Sequence, residues 1–154
     1  MIVNNKKDNI VTNEIEILSF NIGNNVYGLR VSNVNEIIKY DKITPLPCTD
    51  KRILGIIMPR DTLITVIDLG CCLTQVSTKL KDKDNYYIIC NYQDKTVAFL
   101  IDTVNDIKRF SEDNIVMPNG LLDKENSKIE GILNTENNLI TLLMYDKILK
   151  EINL

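Results

Sequence analysis

The chain has 154 residues, 25% of them charged and 44% apolar, with only 6 Gly and 4 Pro, enough to bury one sizeable core or two small ones in a shared unit. Its 18 Lys and Arg against 21 Asp and Glu leave a net charge of −3 without a basic cluster, which excludes a nucleic-acid binder working by phosphate neutralisation. Histidine is absent, and with it go the imidazole general base, the Ser-His and Cys-His nucleophile pairs and every zinc site that uses His.

Residues 1–13 mix Asn, Lys and Asp without a sustained period and read as a flexible lead, with order beginning at Glu14. From there, short segments rich in Ile, Val, Leu, Tyr and Thr alternate with Asn, Asp and Gly, the pattern of an all-β chain of small barrels or sandwiches. Ile15 to Ile22 meets Val26 to Val31 across Gly23-Asn24-Asn25, residues that tolerate the positive φ of a hairpin turn. Asp61-Thr62 is a turn, and Leu63 to Leu69 is apolar on both faces apart from Thr65 and Asp68, as a strand between packed layers would be. Thr78 to Asp84 is a polar link, and Ser111 to Ser127 reads as loop. Only Leu142 to Leu154 carries helical spacing, through Ile148, Leu149 and Ile152, which predicts one terminal helix. The apolar runs Leu63 to Leu69 and Val97 to Ile101 are far shorter than a membrane span, and no charged-then-apolar leader opens the chain. The expectation is a soluble, intracellular protein without direct membrane insertion.

Sliding the chain against itself reveals a repeat. At an offset of 70, Ile17 to Lys39 overlies Tyr87 to Arg109 without a gap, so that Val34-Asn35-Glu36-Ile37 falls on Val104-Asn105-Asp106-Ile107. At an offset of 76, Gly55-Ile56-Ile57 overlies Gly131-Ile132-Leu133, and Leu63 to Ile67 overlies Leu139 to Leu143. Two similar β units follow, at 14–79 and 80–154, the second carrying the helix. Units of about 65 residues are marginal alone, so the two should pack together and leave a groove at their seam, where partners dock.

The remaining residues suggest no catalysis. Cys48, Cys71, Cys72 and Cys90 form no CxxC pair and read as reduced, mostly buried small hydrophobes. Adjacent Cys71-Cys72 could instead sense thiols, although no cation or helix cap beside them in sequence would lower a thiol pKa. Asp102 and Asp106 read as solvated strand-edge acids rather than paired catalytic carboxylates. Glycine spacing fits neither GxGxxG nor a P-loop, so phosphate cradling has no support, and with no His and no CxxC pair neither a cofactor nor a metal is expected.

The hairpin ILSFNIGNNVYGLRVSNVNEII, the ITPLP run at Ile43 to Pro47, GIIMPRDTLITVIDL at Gly55 to Leu69, VAFLIDTVNDI at Val97 to Ile107 and GILNTENNLITLLMYDKIL at Gly131 to Leu149 together resemble the CheW family of chemotaxis adaptors. The resemblance runs from Ile15 to Leu149 and implies two intertwined five-stranded SH3-like β-barrels with a short C-terminal helix. It also implies a non-catalytic, cytoplasmic adaptor in receptor arrays. Such a protein bridges the cytoplasmic tip of methyl-accepting chemoreceptors to the regulatory domain of the histidine kinase CheA. In that family a receptor helix docks by its apolar face into the inter-barrel groove. Val34, Ile37, Gly55 and Ile56 match groove positions, and Glu36 and Arg60 match an acid and a base at its edge, where the bland alternative is a surface salt bridge of little worth. Val34 and Ile37 are groove or core, which the repeat does not separate.

Five positions depart from the family pattern. Met58-Pro59-Arg60-Asp61 stands where the family carries Asn-Leu-Arg-Gly, placing Asp61 where a turn glycine is usual, while Thr65 replaces a Pro and Met144 an Asp. Pro59 lacks a donor and points to a bent or edge strand end. A CheV-like protein would need a receiver domain after the barrels, and the chain ends at Leu154. The alternative to the adaptor is a divergent small-barrel binding or thiol-sensing protein that uses Cys71, Cys72 and Cys90.

Overall fold

Turn chemistry sets the first element pair. Strand β1 (Glu14–Ile22) returns on β2 (Asn25–Arg30) with Ile22 opposite Asn25, so Gly23 and Asn24 alone make the turn and Gly23 supplies its φ of 60°. The computed structural model describes residues 13–48, 50–78, 80, 84–117 and 127–154. The expected lead at 1–13 lies outside them except for Asn13, as do parts of the polar link and of the loop at 111–127.

The elements that follow are β3 (Glu36–Lys39), β4 (Ile53–Ile57), β5 (Ile64–Asp68), α1 (Leu69–Thr74), β6 (Tyr86–Tyr92), β7 (Lys95–Ile101), β8 (Thr103–Ser111), β9 (Ile129–Asn134), β10 (Leu139–Leu143) and α2 (Tyr145–Ile152). They form two five-stranded sheets, ordered β8-β1-β2-β10-β9 and β3-β6-β7-β5-β4. Each sheet takes strands from both halves of the chain. Residues 14–79 and 80–154 therefore mark the two copies of the repeat and not the two sheets.

The exchange is symmetric to the residue. β5 runs parallel to β7 with Thr65 opposite Val97, and β10 runs parallel to β2 with Thr141 opposite Tyr27, the same pair under offsets of 76 and 70. Likewise Ile37 on β3 faces Ile88, and Ile107 on β8 faces Leu18. The strand-period alternation of side chains then builds three cores. Ile17, Leu133, Ile140 and Leu142 fill the inside of the first sheet, and Ile57, Ile64, Val66, Tyr87, Ile89, Ala98 and Leu100 fill the inside of the second. Between the sheets lies a shared core that includes Leu18, Phe20, Leu29, Ile67, Ile88, Phe99 and Ile101 together with Ile148, Leu149 and Ile152 from α2.

Three expectations need correction. α1 was not foreseen: six residues, four of them buried, show no amphipathic period, and the helix exists because Asp68 accepts the Cys71 N–H at 3.1 Å as its N-cap. α2 spans only Tyr145–Ile152, because Leu142 and Leu143 are held in β10 by pairing with Gly131 and Ile129. Asp102 is not a solvated edge: it is 5% exposed and accepts the N–H of the turn residue Gly23 at 2.7 Å, whereas Asp106 is exposed and accepts from Ser19 Oγ.

Because neither half holds a complete sheet, residues 1–79 and 80–154 expressed separately are expected to give disordered amide spectra by NMR. Mixed at equal concentration they are expected to recover the dispersed spectrum of the intact chain. A folded isolated half would contradict the strand exchange.

Candidate functional site

The second sheet has β3 and β4 as its two edges, and the chain after β3 folds back so that Thr44 pairs with Ile56 on β4. This brings the edges together. Gly55 makes it possible: it is buried with φ 145°, and a Cβ there would lie 2.1 Å from the Thr44 carbonyl oxygen.

Successive residues of β3 point to opposite faces. Ile37 sits opposite Ile88 and faces the seam between the sheets, where it is 37% exposed, and Val34 is half-buried against the shared core. Ile56 pairs with Thr65, which pairs in turn with Val97 of the shared core, so Ile56 carries the same outer face to the other edge. Glu36 sits opposite Ile89 and faces the closing edge instead. There its carboxylate accepts from Arg60 Nη2 across 24 residues of chain. Val34, Ile37 and Ile56 thus form an apolar face, and Glu36 and Arg60 a polar rim.

Arg60 and Asp61 are the two central residues of the turn after β4, with φ of 52° and 63°, closed by Thr62 N–H donating to the Pro59 carbonyl at 3.0 Å. The main chain of a type I′ turn wants glycine or asparagine at such positions. Arg60 is thereby aimed back at Glu36, and Asp61 stays exposed without taking part in that ion pair. Pro59 follows an edge strand, as the missing donor requires. With the pair's side chains 69% and 38% exposed, solvent screens it and its worth to stability is small. Met58 and Leu63, 55% and 61% exposed, flank the turn and enlarge the apolar surface. Sequence reasoning passed over both, since Leu63 opens a run that reads wholly as core and only the alternation of β5 turns it outward.

Cys71 and Cys72 line a separate cleft with Asp50, Arg52, Lys128 and Glu151 among others. The expectation that no cation neighbours them is corrected here, because Lys128 Nζ donates to the Cys72 carbonyl at 2.9 Å and Arg52 arrives from the loop before β4. Glu151 pairs with both cations, at 3.0 Å from Lys128 and 3.2 Å from Arg52, and Asp50 holds Arg52 through two further hydrogen bonds at 2.9 and 2.7 Å. Burial outweighs the cations' field at Cys72, whose thiol is pushed up to about 12, and raises Cys71 as well, while burial alone pushes Cys90 up to about 12. Cys71, Cys72 and Cys90 are buried and Cys48 is exposed. Among the described residues no group of three His, Cys, Asp or Glu could hold a metal ion, and no helix is long and apolar enough to cross a membrane.

Comparison with known proteins follows the same outline. Residues 16–153 match the CheW-like domain family. The chain is 32% identical over 139 residues to the chemotaxis protein CheW of Thermotoga maritima, covering 90% of each. It is 26% identical over 137 residues to that of Helicobacter pylori, covering 89% of this chain and 82% of the other. Its structure is similar to the scaffolding protein TtCheW of Thermoanaerobacter tengcongensis, with a TM-score of 0.76 and 28% identity over 87% of this chain and 86% of that one.

Asp61→Gly is expected to remove left-handed strain and raise stability by about 0.5–1 kcal/mol, a Tm increase of about 1–4 °C by calorimetric scan; an unchanged or lower Tm would contradict the turn geometry. Titration with a thiol-reactive disulfide reagent at pH 8 is expected to modify Cys48 alone in the folded chain and all four cysteines after denaturation. Fast reaction of Cys71 or Cys72 in the folded chain would revive the thiol-sensing alternative.

Proposed function

The chain belongs to the CheW-like domain family, and from that membership we propose that it is a chemotaxis adaptor, without catalysis of its own, coupling methyl-accepting chemoreceptors to the histidine kinase CheA. It acts in the cytoplasm, at receptor arrays. The observation that carries the reading is the apolar face at the seam, with Ile37 exposed and Val34 and Ile56 half-buried beside it, bordered by the Glu36–Arg60 pair. That arrangement suits the apolar side of a receptor-tip helix, with a polar rim to orient it.

In this reading each residue has one task. Ile37 and Val34 exclude water from beneath the docked helix, and Met58 and Leu63 extend the contact along the turn. Gly55 lets the two sheet edges meet so that the face is continuous. Arg60 and Glu36 hold the turn against β3 and set orientation more than affinity, as exposed charges at an interface rim do. Asp61 serves by shaping the turn. The regulatory domain of CheA docks elsewhere on the chain, so the two partners are bridged rather than exchanged. Residues 1–13 serve as a lead and 14–79 and 80–154 as the two copies of one structural unit.

Calorimetry of the intact chain against the CheA regulatory domain and, separately, a receptor-tip fragment tests this. Both are expected to bind. Ile37→Asp is expected to weaken the receptor fragment at least tenfold, about 1.4 kcal/mol, with kinase binding unchanged, and Arg60→Ala to weaken it by a smaller factor. Failure of either partner to bind, or an Ile37→Asp chain that holds the fragment as well as the parent does, would sink the proposal.

A further inference from the structure

Ile37 lies on β3 and Ile56 on β4, so the seam face spans the two edges of the second sheet, and its width is set by what holds those edges together. The edges meet through an isolated bridge, in which Thr44 N–H donates to the Ile56 carbonyl at 2.8 Å and Ile56 N–H to the Thr44 carbonyl at 2.9 Å. Thr44 itself is exposed, and a bridge of two hydrogen bonds at such a place opens readily unless the chain leading into it is anchored. That chain is the short stretch 40–43 between the end of β3 and Thr44.

Tyr87 anchors it. It is fully buried on β6 opposite Ile38, and its hydroxyl donates to the Asp41 carbonyl at 2.6 Å. Tyr40 stacks on its ring, with centroids 5.9 Å apart and planes 21° from parallel, and Tyr40 N–H donates to the Asn85 carbonyl at 2.9 Å. Tyr40 and Ile43 pack with it against the core of the second sheet. Burial, with Tyr40 and Asp41 alongside, raises the Tyr87 phenol above its ordinary value, so the hydroxyl stays protonated and able to donate.

The repeat shows that the fold does not need this hydroxyl for packing. Under the 70-residue offset Tyr87, Tyr40 and Asp41 fall on Ile17, Phe110 and Ser111, and Ile17 and Phe110 pack in the core of the first sheet without a hydroxyl. There the edges meet at Val116 and Ile132 in the same way, and Arg30 clamps the closing segment from outside, through Glu112 at 3.0 Å and Glu130 at 3.1 Å. Arg30 falls on Leu100, so the second sheet carries an apolar residue where the first has its clamp. Tyr87 takes over that task from within.

We infer that Tyr87 is a positioning residue for the docking of a receptor helix. By holding the Asp41 carbonyl it fixes the path of residues 41–44, keeps Thr44 on Ile56, and so presents Ile37 and Ile56 as one face at a set spacing. The inference rests on the docking role proposed above for that face. Tyr87 acts through Thr44 and Ile56, because its own ring lies within the core of the second sheet.

Tyr87→Phe keeps the ring and removes only the hydroxyl, and amide hydrogen exchange of the folded chain reads the consequence. The Thr44 and Ile56 amides are expected to exchange about fivefold faster, the worth of one neutral hydrogen bond, while Val116 and Ile132 keep the parent rates as a control within the same molecule. Tyr40→Phe, which keeps the stacked ring, is expected to leave all four at the parent rates. By calorimetry, Tyr87→Phe is expected to bind the receptor-tip fragment about three- to fivefold more weakly and the CheA regulatory domain as the parent does. Equal acceleration at both bridges would make the hydroxyl a general stabiliser and overturn the inference. Unchanged rates at Thr44 and Ile56, or a Tyr40→Phe chain that opens them as far, would overturn it too. So would faster exchange there with undiminished binding of the fragment. A parent chain that binds no fragment fails the docking reading and the positioning role with it, whereas the exchange rates of the unbound chain decide separately whether Tyr87 holds the edges closed.

Discussion

Everything in this molecule depends on the two parallel pairings that cross between the halves, β5 with β7 and β10 with β2. Each half supplies the strand that the other lacks. As a consequence, β1, β6 and β7 are covered on both faces, and their side chains alternate between a sheet's own interior and the shared core. On β6, Tyr87 and Ile89 point inward to the second sheet while Ile88 and Cys90 point to the seam. This explains why these segments read as unbroken apolar runs rather than as the alternating pattern of a strand with one wet face. It also removes the stability problem of a 65-residue unit, since the largest cluster is owned by neither half.

The same pairings decide which strands are left as edges, and the edges are where the two copies diverge. In the second sheet the edges meet through Thr44 and Ile56, over the bare backbone of Gly55, with Glu36 and Arg60 tied across the outside. In the first sheet Val116 meets Ile132 in the same way, but the residue matching Arg60 is Glu136, and Asp106 turns to Ser19 instead. An exposed ion pair adds little stability. Its presence in one copy alone, beside an apolar face, is in keeping with the recognition role proposed for that edge.

Much of this was legible in the chain itself. The 70- and 76-residue offsets, the Gly23-Asn24 turn and the strands from Glu14 onward rest on local rules, namely which residues tolerate positive φ and how apolar residues alternate. Other features were not. α1 is too short and too buried to show a helical period, and its cap, Asp68, reads in sequence as one of two polar positions in an otherwise apolar strand. The cations beside Cys72 come from positions 52 and 128, too far apart in sequence to be seen as neighbours of a thiol. Met58 and Leu63 were passed over because an apolar residue at the end of an apolar run looks buried until the turn after β4 places it in solvent.

The sequence by itself determined the repeat, the strand content and the absence of imidazole chemistry, because composition and short-range periodicity carry those directly. It also placed an acid at 36, a base at 60 and small or apolar residues at 34, 37, 55 and 56. Only the tertiary structure decided that Glu36 and Ile37, adjacent in the chain, serve opposite faces, and that Val34, Ile37 and Ile56 share one. The physical reason is that strand exchange and edge closure are long-range choices: the partner of a strand, and hence the face its side chains show, is set by the competing burial of all ten strands together.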